Sequence, residues 1–219
     1  MTDQTLQNIE RLIFDNIDPS RTAVLAIDLQ RWCFDPEFES PLILPASEML
    51  KKNIKSITSK ARKSGALVVW TRSAYTTLGP KAYPAWFREM IGPDAENVIL
   101  QGQGVDSRGI ELVDDYEVAT GDMVVDKFRY SALLPISSDL HRTLEDRGVD
   151  TLVIVGGATN ICCESTARDA MMLGYRVFFV SDATVAADIY AHRASLLNIV
   201  QGGFADVRTS NDLMPLFRE

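Results

Sequence analysis

The chain has 219 residues, 46% hydrophobic and 24% charged, values of a globular protein with a full core rather than a disordered one. Against 30 acidic residues stand 22 basic ones, and the formal net charge of −8 argues against a nucleic-acid surface or an anionic membrane as partner. No run of about 18 apolar residues offers a membrane span, and residues 1–21 lack the basic start and apolar stretch of a secretory leader.

Short apolar runs alternate with helical periods along the chain, with no repeat, linker or low-complexity segment, which predicts one parallel α/β domain. Residues 1–20 form an N-terminal extension, expected as a helix docking on a neighbour. TAVLAID (22–28) is nearly all apolar, as a central strand covered on both faces should be. Leu50, Ile54, Ile57 and Ala61 make one stripe of a helix over 46–64, and Gly65 suits its C-terminal cap. ALVVWT (66–71) is the second strand. Residues 72–122 are the least regular part, and GPKAYPAWFREMIGP (79–93) reads as loop and short helix over the sheet edge. MVVDK (123–127) is the third strand, followed by a helix over 137–147. TLVIV (151–155) is the fourth, followed by a helix over 161–173 that stops at Gly174. RVFFV (176–180) is the fifth, a helix over 188–201 ends at Gly202-Gly203, and ADVRTS (205–210) with a short helix closes the chain. Six strands with crossover helices predict a three-layer α/β/α fold with a doubly wound sheet, whose ligands bind beyond the carboxyl ends of the strands.

Three polar residues stand at such ends: Asp28 after the first strand, Lys127 after the third and Cys162 just past the fourth. A thiol near a helix N-terminus meets unpaired N–H groups and the positive end of the helix dipole, both of which favour a thiolate. The GGAT turn at 156–159 lets backbone approach a ligand, and its N–H groups with that of the cysteine suit a developing oxyanion. The plainer reading is that both adjacent cysteines are small core residues. Cys163 points about 100° away on a helix and is the better candidate for burial. A thiol nucleophile needs a base. The two histidines, His141 and His192, fall within helices and read as satisfied or exposed, whereas Asp28, directly after an apolar run, is expected to be partly buried and able to carry a proton. Lys127 needs a partner, and Asp28 is the obvious one; the plainer reading is a surface salt bridge. With three cysteines, no disulfide framework is expected and the cytoplasm is the natural compartment.

These positions carry a resemblance. The chain is similar to the isochorismatase-like cysteine hydrolases, among them nicotinamidases, N-carbamoylsarcosine amidase, ureidoacrylate and biuret hydrolases and the isochorismatases. The similarity runs over about 22–213 and is strongest in GGATNICCESTARDAMMLGYRVFFVSDA (156–183). VLAIDLQ (24–30) resembles the motif of the family's catalytic aspartate, VVDKFRYSAL (124–133) that of its lysine, and T-N-x-C that of its nucleophile. The resemblance implies a triad of Asp28, Lys127 and Cys162, an oxyanion hole from the N–H groups of Ala158 and Cys162, and a cis peptide at 157–158. It also implies the sheet order 3-2-1-4-5-6 and a homodimer or homotetramer.

The segment WTRSAYTTLG (70–79) lacks the histidines and carboxylate with which nicotinamidases hold a metal, so no metal and no cofactor are expected. T-N-x-C-x-E-S-T resembles the ureidoacrylate hydrolase version, which implies hydrolysis of a small amide or ureido C–N bond through a thioester, with release of ammonia. KFRYSAL is also close to the stretch found in isochorismatases, which keeps open vinyl ether hydrolysis with Asp28 as general acid. A redox-sensing cysteine pair without turnover is the third reading. For substrate contacts, Arg72 could pair with a carboxylate, Phe34 and Trp86 could wall the pocket, and Tyr130 could hydrogen-bond. Thr159 is a further candidate, more often a turn former. Gln201 precedes two glycines much as a glutamine does in biuret hydrolases. The plainer readings are a rim arginine, packing, core and polar surface.

Overall fold

In a computed structural model the residues described are 14–217. The expectation of a docking helix falls largely on residues 1–13, outside them. The strands are β1 (Thr22–Ile27), β2 (Leu67–Ser73), β3 (Met123–Lys127), β4 (Thr151–Gly157), β5 (Arg176–Val185) and β6 (Asp206–Arg208). They form one six-stranded sheet in the order β3-β2-β1-β4-β5-β6, parallel throughout. The helices are α1 (Arg31–Phe34), α2 (Glu48–Ser64), α3 (Ala85–Gln103), α4 (Leu140–Asp146), α5 (Glu164–Met172), α6 (Ile189–Gln201) and α7 (Ser210–Leu213).

The core is two-sided because the central strands are. In β1, Ala23, Leu25 and Ile27 join one cluster with Leu140, Leu144, Ala167, Ala170 and Ile199, while Val24 and Ala26 join another with Leu50, Ile54, Ile57 and Leu213. Alternate side chains of one strand thus feed opposite layers, which is why β1 and β4 read as unbroken apolar runs. Helix α2 follows the predicted stripe. Ser47 accepts from the Leu50 N–H at its start, and Gly65 closes its end at φ 89°.

The doubly wound sheet matches the expectation, and the differences lie at element ends. Strand β5 runs on to Val185 rather than stopping near 180, and β4 reaches Gly157. Part of the irregular segment is helical: α3 covers Ala85–Gln103 with a break at Gly92 (φ 77°), after which Pro93 opens a second helical stretch. Proline is compatible with a helix start, where its missing N–H would have no partner. The short helix expected within 79–93 thus continues past Pro93 to Gln103.

Candidate functional site

The switch point between β1 and β4 is made by close backbone contact. Ile27 of β1 pairs with Gly156 of β4. Gly156 has φ 112°, and a Cβ there would stand 2.2 Å from the Ile27 carbonyl oxygen, so only glycine lets the strands meet. The next residue on β1, Asp28, takes a left-handed conformation at φ 51°, uncommon for a non-glycine residue. Its N–H donates to the Thr71 carbonyl at 3.1 Å, and Thr71 Oγ1 donates to Asp28 Oδ1 at 3.0 Å. The strain turns the carboxylate into the sheet edge, and β2 holds it there.

Lys127 ends β3, beyond β2, and is fully buried. Its Nζ donates to Arg129 O at 3.2 Å and to Cys162 Sγ at 3.3 Å, and pairs with Asp28 Oδ2 at 2.8 Å. An ammonium has three donors, and all three are occupied. Burial works against its charge, but Asp28 and Cys162 outweigh that and hold its pKa above the ordinary lysine value. The surface salt-bridge reading therefore fails: both partners are buried.

Cys162 lies not in the first turn of an α-helix but in a π-helical turn over Thr159–Cys163 that precedes α5. The peptide between Gly157 and Ala158 is cis. The Ala158 carbonyl accepts from the N–H groups of Ile161 at 3.1 Å and Cys163 at 3.2 Å. The helix-end effect that favours a thiolate is opposed by burial. Burial pushes the Cys162 thiol up, Lys127 pulls it down, and the Asp28 charge and hydrogen bond push it up again, with a net rise. The thiol therefore holds its proton more tightly than an ordinary cysteine, beside Asp28 and Lys127. Its neighbour Cys163 is wholly buried among Ala167, Ala170 and the other side chains of one core cluster, and burial raises its thiol pKa as well.

Asp28, Cys162 and Ala158 open onto a cavity of about 330 Å³, at the small end of ligand pockets (roughly 300–1,000 Å³). Its wall is mostly apolar and aromatic, with Trp32, Tyr75, Tyr83, Phe87, Ile99 and Tyr130 prominent and Cys33 and Gln103 beside them. Of the substrate contacts expected from sequence, Tyr130 lines this cavity and the rest do not. Arg72 is held by Asp126 through two bonds of 2.6 and 2.9 Å, because in the β2–β3 register the two residues are direct neighbours. Trp86 is 63% exposed, and the residue after it, Phe87, is the one that turns inward. Phe34 sits behind the wall, 3.6 Å from where a Cβ on Gly157 would be. Thr159 is buried, with Oγ1 2.8 Å from His192 Nδ1 and its carbonyl accepting from Ser195 at 3.3 Å. Gln201 is exposed at the end of α6. The histidines are engaged, His192 by Thr159 and His141 by Tyr175 at 2.9 Å. Among the described residues no group of three or more His, Cys, Asp or Glu is arranged to hold a metal ion.

Sequence reasoning missed Gln30. Its amide donates to Ser73 O at 3.0 Å and accepts from Ser73 N at 2.7 Å, fastening the loop after Asp28 to the end of β2. Its place two residues beyond Asp28 in VLAIDLQ was the available signal.

The isochorismatase domain family model matches residues 22–212. The chain belongs to the isochorismatase family. It is similar to the ureidoacrylate amidohydrolase RutB of Caulobacter vibrioides, 32% identical over 213 residues, covering 92% of this chain and 93% of that one. Among solved structures, a cysteine hydrolase from Pseudomonas syringae pv. phaseolicola matches with a TM-score of 0.81 at 25% identity, covering 94% of this chain and 97% of that one. N-carbamoylsarcosine amidase from Thermoplasma acidophilum shares the fold, with a TM-score of 0.66 at 23% identity, 87% of this chain and 97% of that one. The chain is therefore an isochorismatase-family hydrolase with amidohydrolase relatives. No helix among the described residues is long and apolar enough to cross a membrane.

Proposed function

We propose that this hydrolase cleaves the C–N bond of a small amide or ureido compound through a thioester on Cys162, releasing ammonia. The observation that carries the reading is the buried Lys127, bonded at once to Asp28 and to Cys162, which open onto an aromatic cavity. A lysine is rarely buried unless paired, and this one joins a carboxylate to a thiol where a ligand would sit.

Asp28 takes the Sγ proton as the sulfur attacks the carbonyl carbon, so the thiolate exists only while it reacts. The raised thiol pKa makes this coupling to a base necessary. The backbone N–H groups of Ala158 and Cys162 receive the oxyanion. Asp28 then hands its proton to the leaving nitrogen, which departs as ammonia and leaves the thioester. Water, deprotonated by Asp28, attacks the thioester, the C–S bond breaks, and the proton returns to Sγ. Lys127 balances the Asp28 carboxylate and the developing thiolate. No cofactor or metal takes part.

The test is ammonia release from nicotinamide, N-carbamoylsarcosine, ureidoacrylate, biuret, maleamate and simple aliphatic amides. Wild type and Cys162→Ala are compared with and without a chelator. Release lost in the variant and indifferent to the chelator supports the reading. Isochorismate consumed equally by both proteins, with no ammonia from any amide, overturns it in favour of acid catalysis by Asp28.

A further inference from the structure

The cavity wall bears on which amide would enter. Among the described residues that line it, Asp28 is the one charged side chain, and none is a lysine, arginine or histidine. The cations nearby are engaged elsewhere. All three donors of Lys127 are occupied by Asp28, Arg129 O and Cys162. Arg72 is forked onto Asp126. Arg129 donates to the carbonyls of Lys81 and Ala82 at 3.1 and 2.9 Å and lies over the Tyr83 ring, so it braces the wall from outside. Arg88 is held by Glu96, which also accepts from the Tyr75 hydroxyl at 3.0 Å.

What the wall presents instead is ring faces, aliphatic edges and neutral polar groups. Tyr83 packs between Tyr75 and Phe87, with ring centroids 4.7 and 5.1 Å away. The half-buried Gln103 side chain has no hydrogen-bond partner among the described residues, although its carbonyl accepts from Tyr75 N at 2.6 Å. An anion placed here would lose its water, face the Asp28 carboxylate and meet no counter-ion, whereas an apolar group would gain contact on every side.

We propose that the substrate is an uncharged carboxamide or N-carbamoyl compound with an apolar, planar or branched acyl side, and that Gln103 reads any neutral polar group it carries. This rests on the amidohydrolase reading above. It separates the chain from the relative whose substrate, ureidoacrylate, is a carboxylate.

The experiment compares pairs of similar shape and different charge: 4-methylpentanamide against succinamate, and benzamide against 4-carboxybenzamide. The readout is kcat/KM for ammonia release by the full chain. The neutral member of each pair is expected to be favoured on the order of 100-fold or more, the scale set by burying an uncompensated charge. Gln103→Lys, which adds a cation to the wall, is expected to narrow that ratio at least tenfold. If the variant does not fold, the wild-type ratios alone decide. Equal or better turnover of succinamate or 4-carboxybenzamide overturns the inference and leaves the amidohydrolase reading standing. No ammonia from any member overturns both.

Discussion

The floor and the wall of the cavity are built in different ways. The floor consists of Asp28 and Cys162 with Lys127 buried beneath them, carried at or just beyond the ends of β1, β4 and β3. Their positions follow from strand register and are tied by bonds between neighbouring strands, such as Asp28 to Thr71 and Gln30 to Ser73. The wall comes from α1 with the loop after it, from the segment holding Tyr75, Tyr83 and the broken helix α3, and from Tyr130 after β3. Its residues are fixed by ring packing and by the outside brace of Arg129. A hydrogen-bonded floor tolerates no change of chemistry, while a packed wall tolerates changes of shape. One family can thus keep its reaction and vary what it acts on.

The sharpest break of this contrast is within the floor, between two adjacent cysteines. Cys162→Ala is expected to lower ammonia release by on the order of 10⁴-fold or more. Cys163→Ala, which trims a core side chain, should keep activity within about threefold and cost ~1 kcal/mol in a urea titration. Next is Lys127→Met, which leaves the buried Asp28 carboxylate without its cation. It should cost about 3–5 kcal/mol, read as a lower urea midpoint, and also abolish turnover. If Lys127→Met unfolded no more easily than wild type, the ion pair would not be what holds the floor together.

The wall is probed by neighbours that face opposite ways. Phe87→Ala should reduce kcat/KM about tenfold through lost apolar contact, and Trp86→Ala, at an exposed position, should leave it within about twofold. Equal effects would mean that the two faces of α3 are not distinguished by the substrate. A smaller effect concerns the thiols. Burial, then Asp28, pushes the Cys33 pKa up from 9.0 to about 12. The folded state keeps a proton that the unfolded state releases, so this contribution is whole below pH 9 and is lost as pH rises toward 12. Stability should fall by ~1 kcal/mol per pH unit from this group above pH 9, and Cys33→Ala should flatten the decline in urea titrations from pH 8 to 10.5. A comparably small effect is expected for Arg72→Ala. Its guanidinium serves Asp126, so kcat/KM for a neutral amide should stay within about threefold.

Legibility in the sequence divides along the same line as floor and wall. Asp28 and Lys127 end apolar runs, and a charge there is conspicuous in any strand-forming pattern. Trp86 and Phe87 are adjacent aromatics in a stretch broken by Gly92 and Pro93, where no helical period runs long enough to show which of them turns inward. Arg72 looked available because the sequence does not show that Asp126 stands opposite it in the β2–β3 register. The helix-end argument for a thiolate was incomplete for a related reason. A helix dipole is inferred locally, while the burial that raises the thiol pKa comes from the whole cluster around Cys162.

Apolar periodicity alone determined six strands, crossover helices and a doubly wound sheet, because burial on both faces demands a pattern that is written locally. Spacing and motif likewise placed an aspartate, a lysine and a cysteine at one edge. Only the tertiary structure decided that the lysine has no donor left, that Arg72 turns to Asp126, and that the cavity wall is aromatic and without a cation among the described residues. Those are statements about which distant side chains meet, and such meetings depend on register, helix breaks and loop packing between segments far apart in the chain.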